Sequence, residues 1–147
     1  PYDGGLRTPI MVRWPGHVKP RRDEQTLASS LDIAPTVLAA AGLPADPTLP
    51  GLDLLRLDAA KSSSRTTLFG AIFEHDQPDL EDPAAGLLFR WCVADDWKMI
   101  LPRDGQQPEL YKISADPTEQ QNLIESEPVQ ADRLRKLTDD WWRGTQR

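Results

Sequence analysis

The second half of the chain places apolar residues in short runs that alternate with polar positions, a pattern typical of β-strands. Four such runs are rich in aromatic and β-branched residues and are bounded by turn residues: TTLFGAIFEHD, LLFRWCVA, WKMILP and ELYKI. Asp95-Asp96 and Asp104-Gly105 mark tight reversals between them. Because these connections are local, we predict a four-stranded antiparallel meander.

The pattern changes to a helical period after this region. Ala131, Leu134, Leu137 and Trp141 recur at spacings of three and four, which predicts a helix from about residue 128 to residue 143. Four strands alone leave an apolar face open, so we expect this helix to lie on the sheet.

The first part of the chain has a different pattern. Asp3, Gly4 and Gly5 predict a tight loop, because glycine accepts positive φ without steric cost. Residues 10–14 then form a short apolar run that predicts a strand, which Pro15 and Gly16 would close.

The stretch SLDIAPTVLAAAGLP predicts a helix with clear boundaries. Asp32 is the expected N-cap, Pro35 falls in the first turn, and Gly42 supplies the left-handed stop. Residues 44–66 lack periodicity and include the run KSSSR. On composition we place a boundary near residue 60 and predict an α+β chain with two parts, residues 1–60 and 61–147.

Composition narrows the classes of partner. The 147 residues carry a formal net charge of −6, which argues against a nucleic-acid partner. No stretch approaches the roughly 20 apolar residues of a membrane span, so we expect no membrane partner. The single cysteine, Cys92, excludes an internal disulfide and a cysteine-pair metal site. We interpret Cys92 as a packed thiol, with catalysis beside His17 or His75 as the alternative.

Candidate binding chemistry is concentrated in FEHDQPDLEDP. His75 and Asp76 follow the first predicted strand and enter an acidic, proline-containing loop. A histidine beside carboxylates at a strand end is suited to hold a substrate hydroxyl or an anion. The alternative is an exposed loop histidine without a ligand. The adjacent pairs Asp95/Asp96 and Asp139/Asp140 are interpreted as a turn and a solvent-facing helix surface, so no metal ligand is assigned.

Three motifs, in order along nearly the whole chain, resemble the type I sulfatases of the alkaline-phosphatase-like superfamily. PYDGGLRTPIMVRWPG resembles the segment that follows the active-site lysine of the family, Tyr-Glu-Gly-Gly-x-Arg-x-Pro leading into Trp-Pro-Gly. SSLDIAPTVLAAAGLP resembles the Asp-Leu-x-Pro-Thr helix, and WKMILP with ELYKISADPTEQQNL resembles the C-terminal ending. Asp3 stands for the usual Glu and Lys112 for the usual Asp.

The resemblance implies that residues 1–60 finish an α/β sulfatase domain and that residues 61–147 form the C-terminal subdomain. Such enzymes hydrolyse sulfate esters with a formylglycine, made from Cys or Ser in Cys/Ser-x-Pro-x-Arg, and a calcium ion. The 147 residues contain no such motif, and Cys92 precedes Val93 and Ala94. We therefore expect both cofactors in a full-length parent and neither in this chain, to which no catalytic residue is assigned.

The sequence-based hypothesis is thus a C-terminal sulfatase fragment that is inactive alone and forms scaffold and pocket wall. Arg7 would be a buried anchor, and His75 and Asp76 would touch the leaving group. The expected partners are the N-terminal catalytic part, a sulfated small molecule or glycan bound by the parent, and a second copy of the fragment through self-association. Family habit suggests a periplasmic or secreted parent. The alternatives are a non-catalytic interaction module, or part of a phosphatase or phosphonate-ester hydrolase.

Overall fold

The computed structural model of the chain describes residues 1–24, 26–56, 65–76, 78–79, 81–82 and 84–145. These residues form two compact units. The sheet unit comprises Pro1–Thr8 and Thr67–Arg147, and the loop–helix unit comprises Pro9–Thr66. The boundary predicted near residue 60 lies outside the described residues.

Three α-helices and four strands are present among the described residues. The helices are α1 (Asp3–Leu6), α2 (Ile33–Ala40) and α3 (Pro128–Thr145), and a 3₁₀ turn, Ser30–Asp32, precedes α2. The strands are β1 (Thr67–Phe73), β2 (Leu87–Ala94), β3 (Trp97–Pro102) and β4 (Glu109–Lys112).

The strands form one antiparallel sheet in the order β1-β2-β3-β4, which confirms the predicted meander and the α+β class. Both predicted reversals are tight turns, in which Asp95 (φ 54°) and Gly105 (φ 72°) take left-handed backbone conformations. Asp and Gly accept this conformation more readily than most residues, so the turn residues fix the register of the sheet.

Helix α3 lies on one face of the sheet, as predicted. The strand register aligns Phe69, Cys92, Met99 and Leu110 across the four strands. Seven buried residues of the sheet and α3 form the core on this face: Cys92, Ala94, Met99, Leu101, Leu110, Ala131 and Leu134.

The face of β2 that lies under α3 carries Arg90 and Cys92, so it mixes charged and apolar side chains. Arg90 shares this face, and its guanidinium donates to the Asp139 carboxylate of α3 at 2.7 Å. The ion pair allows an arginine to lie beneath a helix. The opposite face carries Trp91 beside Gly70, and a Cβ at Gly70 would lie 2.3 Å from the Trp91 ring. Only glycine fits there.

Two predictions for the N-terminal region are wrong. The Asp3-Gly4-Gly5 loop is the single helical turn α1, in which the carbonyl of Tyr2 accepts the N–H groups of Gly5 and Leu6. Residues 10–14 are not a strand. A strand needs a neighbour to satisfy its backbone groups, and the described part of the loop–helix unit contains no other strand. Trp14 stacks on His17 instead, with ring centroids 4.1 Å apart.

The start of α2 differs from the prediction in one respect. Asp32 occupies the N-cap position of α2, as predicted, but its side chain makes no capping hydrogen bond to that helix. Ser29 is the N-cap of the preceding 3₁₀ turn: its Oγ accepts from the N–H of Leu31, and Asp32 accepts from the N–H of Ser29 at 2.7 Å. Asp32 thus takes part in a reciprocal capping box, and its carboxylate has a second role as well. The end agrees with the prediction, because Gly42 adopts φ 68°.

Asp32 is fully buried in the loop–helix unit and forms a bidentate ion pair with Arg65, at 2.7 and 2.8 Å. It also accepts from the N–H of Leu52 at 2.8 Å. Burial by itself would raise the pKa of Asp32, but the hydrogen bonds from Arg65, Leu52 and Ser29 outweigh it and hold the pKa below its usual value of 3.8. The carboxylate therefore stays ionised inside the unit.

Within the described residues, no helix combines the length and the apolarity that crossing a bilayer requires.

Candidate functional site

The most unusual group in the sheet unit is a fully buried lysine. Lys98 lies on β3, and its Nζ is 2.6 Å from the Asp3 carboxylate and 2.7 Å from the Glu119 carboxylate. Lysine is almost never fully buried unless it is paired. The two carboxylates come from segments remote from β3, so this cluster of Asp3, Lys98 and Glu119, the Lys98 cluster, joins three parts of the chain.

Strand alternation explains the position of the lysine. In β3, Trp97, Met99 and Leu101 face α3, so Lys98 and Ile100 face the other way. Lys98 is paired across the sheet with Val93 on β2 and Tyr111 on β4. A central strand gives its ammonium no short path to water, and two carboxylates compensate for the lost hydration.

Glu119 has a strained backbone as well as a buried side chain. Its φ is 54°, in the left-handed region that non-glycine residues occupy rarely. The turn before it holds this conformation: Asp116 accepts from the N–H groups of Gln120 and Gln121, each at 2.8 Å. These backbone donors hold the pKa of Asp116 below its usual value. The turn that begins at Asp116 and Pro117 thus places Glu119 in the cluster.

Asp3 contacts the cluster with two of its groups. Its carboxylate meets Lys98, and its backbone N–H donates to the second oxygen of Glu119 at 2.6 Å. Glu119 therefore binds both the lysine and the first residue of α1. The short helix is fixed to the sheet by charge-assisted contacts rather than by apolar burial, since no residue of α1 is buried.

A pair of tyrosines adds a second attachment beside the Lys98 cluster. The hydroxyls of Tyr2 and Tyr111 donate to the two oxygens of Glu109, at 3.0 and 2.6 Å. The rings meet edge to face, with centroids 6.4 Å apart. Burial and the neighbouring Glu109 carboxylate raise the pKa of both phenols, which therefore remain protonated donors.

A cavity of about 500 Å³ opens next to these contacts. Its wall is formed by the start of α1 and by the turn that carries Glu119; the lining residues are Tyr2, Gly4, Pro117, Thr118, Glu119 and Gln120. Lys98 is not one of these lining residues.

The predicted binding pair, His75 and Asp76, lies in the loop directly after β1, and both side chains are exposed. Their proposed contact with a substrate stays a prediction. The prediction that Arg7 is a buried anchor is wrong, because Arg7 is exposed. The nearby acid Asp3 binds Lys98.

Cys92 is a packed thiol, as predicted. It is 0% exposed, and its Sγ lies 3.7 Å from the carbonyl oxygen of Leu134. Burial raises its pKa, so it is a protonated thiol without access to a reactant. The described residues also contain no group of three or more His, Cys, Asp or Glu side chains arranged to hold a metal ion. These residues do not fit formylglycine or calcium, and no chemical step is assigned to either here.

Sequence reasoning missed the Lys98 cluster. One signal was available, because Lys98 interrupts an otherwise apolar strand on the same face as Ile100. Its partners could not be read from the sequence, because Asp3 is 95 residues away.

Comparison with known proteins decides the family. A sequence model of the family described as N-sulphoglucosamine sulphohydrolase, C-terminal, matches residues 1–142. The chain belongs to this family. It is a C-terminal portion of a sulfatase of the alkaline-phosphatase-like superfamily, which confirms the resemblance carried by the three motifs.

Individual relatives agree with this assignment. The N-acetylgalactosamine-6-O-sulfatase of Bacteroides thetaiotaomicron is 29% identical over 94% of this chain and 28% of its own length. A protein solved in complex with its substrate D-glucosamine-2-N,6-O-disulfate superimposes with a TM-score of 0.56 at 20% identity, over 76% of this chain and 23% of that one.

The phosphonate monoester hydrolase of Agrobacterium radiobacter has a TM-score of 0.57 at 22% identity, over 82% of this chain and 25% of its own. At such identities the structural likeness shows the fold alone. The chain spans about a quarter of the length of these proteins.

Proposed function

We propose that this chain supplies scaffold and part of the substrate-pocket wall to an enzyme that hydrolyses sulfate esters of carbohydrates, and that the reactive groups lie on polypeptide outside it. The observation that carries the proposal is the family match over residues 1–142, combined with the complete burial of Cys92. Two of the similar proteins, an amino-sugar sulfatase and a protein solved with a sulfated glucosamine, support a sulfated sugar as substrate.

In this proposal the chemistry and the positioning are divided. Formylglycine would supply the nucleophile, and calcium would bind the negatively charged sulfate. Both would lie elsewhere in the enzyme. The residues of this chain bind and orient. His75 would donate from its ring N–H to a sugar oxygen, and Asp76 would accept from a sugar hydroxyl.

The direct test is an assay of the purified chain with an aryl sulfate and with glucosamine 6-sulfate, beside calcium titration calorimetry. We expect neither turnover nor stoichiometric calcium binding from the chain, and turnover from the complete enzyme that carries it. Stoichiometric activity of the chain alone would overturn the proposal.

A second test addresses the pocket wall. His75→Ala in the complete enzyme should raise KM or lower kcat/KM for the sugar sulfate, because it removes a hydrogen-bond donor to the leaving group. The chain offers a matched control, His17→Ala, since it contains two histidines and His17 lies in the other unit. Unchanged kinetics for His75→Ala would remove His75 from the pocket.

The apolar surface of the loop–helix unit supports the proposed partner, an N-terminal catalytic part of the same protein. Met11 is 87% exposed and Val37 is 58% exposed. They line an open groove of about 420 Å³ together with Trp14 of the loop, Ile33 of α2 and Leu54. Exposed apolar patches of this kind mark interaction surfaces. Because relatives are several times longer than this chain, polypeptide is available in them to cover such a surface.

The alternative is a sister hydrolase of the same fold, favoured by the likeness to the phosphonate monoester hydrolase. The two functions are separated by comparing kcat/KM of the complete enzyme for an aryl sulfate and for a phenyl phosphonate. A higher value for the phosphonate would favour the alternative.

A further inference from the structure

We propose that Lys98 is a positioning residue, which holds Asp3 and helix α1 on the sheet and so would fix the orientation of the catalytic polypeptide that the proposed function joins to Pro1. The kinetic part of this inference rests on the proposed function, in which the reactive groups lie outside this chain. The structural part concerns residues 1–8 and stands without it.

The first argument is the burial of the lysine. The Lys98 side chain is 0% exposed, whereas the carboxylates of Asp3 and Glu119 are 15% and 2% exposed. A buried ammonium that loses its partners incurs a large desolvation penalty. The fold therefore favours the conformation in which Asp3 occupies its place beside Lys98.

The second argument is that little else holds this segment. The described buried residues of the sheet unit lie in the strands, in α3 and at Gly86 and Glu119, and none lies in residues 1–8. Among the contacts described for residues 1–8, those with the rest of the sheet unit are the polar ones of Asp3 and, from Tyr2, a hydrogen bond to Glu109 and an edge-to-face ring contact with Tyr111. Apolar burial is not what fixes this segment.

The third argument is the strain at Glu119. A glutamate in the left-handed region at φ 54° costs conformational free energy. Such strain persists where surrounding contacts over-determine it. Here the backbone donors to Asp116 and the two partners of Glu119 do so, and the result places one carboxylate between Lys98 and the N–H of Asp3.

A catalytic role for Lys98 does not fit these contacts. The ammonium has no exposed surface and does not line the neighbouring cavity, so it cannot touch a substrate. Lys98 acts through Asp3.

The structural test is amide hydrogen exchange of Asp3, Gly5, Leu6 and Arg7, whose N–H groups are all hydrogen-bonded. Lys98→Met should accelerate their exchange at least about tenfold, because two buried carboxylates then face each other without a cation. The control is Lys112→Met, an exposed lysine on the neighbouring strand β4, which should leave these amides unchanged.

Since Lys98→Met removes a buried charge and can unfold the sheet, Asp3→Asn and Asp3→Glu provide a milder pair. Asp3→Asn leaves Lys98 paired with Glu119 and should still accelerate exchange in residues 5–7. Asp3→Glu restores the charge and should bring exchange back to within about threefold of the unaltered chain. Equal exchange in Asp3→Asn and the unaltered chain would overturn the proposal.

The kinetic test separates positioning from plain stability. In the complete enzyme, Asp3→Asn should lower kcat at least about tenfold at a temperature where the protein is folded, with KM changed less than twofold and with kcat rescued by Asp3→Glu. Faster exchange with an unchanged kcat would show a merely structural contact and overturn the positioning role. If the complete enzyme hydrolyses no sulfate ester, the proposed function fails, while the exchange experiment still decides whether Lys98 fixes residues 1–8.

Discussion

The two units bury opposite kinds of side chain. In the sheet unit the fully enclosed residues include Met99, Ile100, Leu110 and Leu134, an ordinary apolar core. In the described part of the loop–helix unit the two residues classed as buried, Asp32 and Thr36, are polar. Its large apolar side chains are exposed instead, and they include Ile10, Met11, Val12, Leu31, Ile33, Val37 and Leu43.

This difference shows that two kinds of force hold the chain. The sheet unit completes its own apolar core with α3. The loop–helix unit is held by Asp32 with Arg65 and by Thr36, whose hydroxyl donates to the Asp32 carbonyl at 2.6 Å and accepts from the N–H of Leu54 at 2.9 Å. Its apolar side chains remain available for another surface, as the proposed function requires.

The largest expected effect is on the polar centre. Asp32→Asn should destabilise the loop–helix unit by about 3–5 kcal/mol, because it leaves the Arg65 charge without its carboxylate. The measurement is hydrogen exchange of the Leu52 and Leu54 amides, which lose protection. Asp46→Asn is the control, since Asp46 is exposed and its carboxylate accepts from the N–H and the hydroxyl of the nearby Thr48. Retained protection in Asp32→Asn would show that the ion pair does not hold the unit.

The apolar core gives the next effect. Leu134→Ala should destabilise the sheet unit by about 2–5 kcal/mol, because it opens a cavity where α3 meets Cys92 and Leu110. Val129→Ala on the same helix is the matched control: that side chain is 78% exposed and should cost less than about 0.5 kcal/mol. Urea unfolding measures both, and equal costs would contradict a core centred on Leu134.

The two units should differ in their stability to acid. Because the folded pKa of Asp32 lies below its usual value of 3.8, its stabilisation is complete above that pH and is lost as the pH falls below it. Between about pH 5 and about pH 2, protection of the Leu52 and Leu54 amides, measured relative to their intrinsic exchange rates at each pH, should therefore report loss of the loop–helix unit. Asp32→Asn should flatten this pH dependence. A pH profile that is the same in the variant and in the unaltered chain would refute the attribution of the acid sensitivity to Asp32.

The smallest effect on stability is expected at the exposed apolar surface. Met11→Ser should change the free energy of unfolding by less than about 0.5 kcal/mol, yet reduce self-association of the purified chain in analytical ultracentrifugation. The chain contains a second methionine for contrast, Met99, which is 0% exposed and whose replacement by Ser should destabilise the sheet. A chain that is monomeric at all concentrations before the change would contradict the expected self-association.

Local sequence patterns were sufficient to predict the elements of the sheet unit, whose packing partners are close in the sequence. The alternation in β2 and β3, the turn residues Asp95 and Gly105, and the period of α3 predicted the sheet and its covering helix. The apolar run at residues 10–14 failed as a strand because a strand depends on a neighbour, and alternation does not show whether one is present.

The Lys98 cluster failed for a related reason. The sequence shows a lysine in an apolar strand, but its burial depends on Asp3 and Glu119, which only the folded chain brings together. Helix α2 was predicted, whereas the capping by Ser29 was not, since Asp32 fits both an N-cap and a buried ion pair. The roles of His75 and Asp76 remain predictions, because their partner would be a ligand.

The association of residues 1–8 with the sheet unit has a consequence for dissecting the molecule. The chain leaves that unit after Thr8 and returns to it at Thr67, so the loop–helix unit has two peptide junctions with it rather than one. A truncated version that begins at residue 67 would lack Asp3 along with the loop–helix unit and would leave the buried Lys98 ammonium without one of its two carboxylate partners. A stable minimal version would need residues 1–8 joined to residues 67–147.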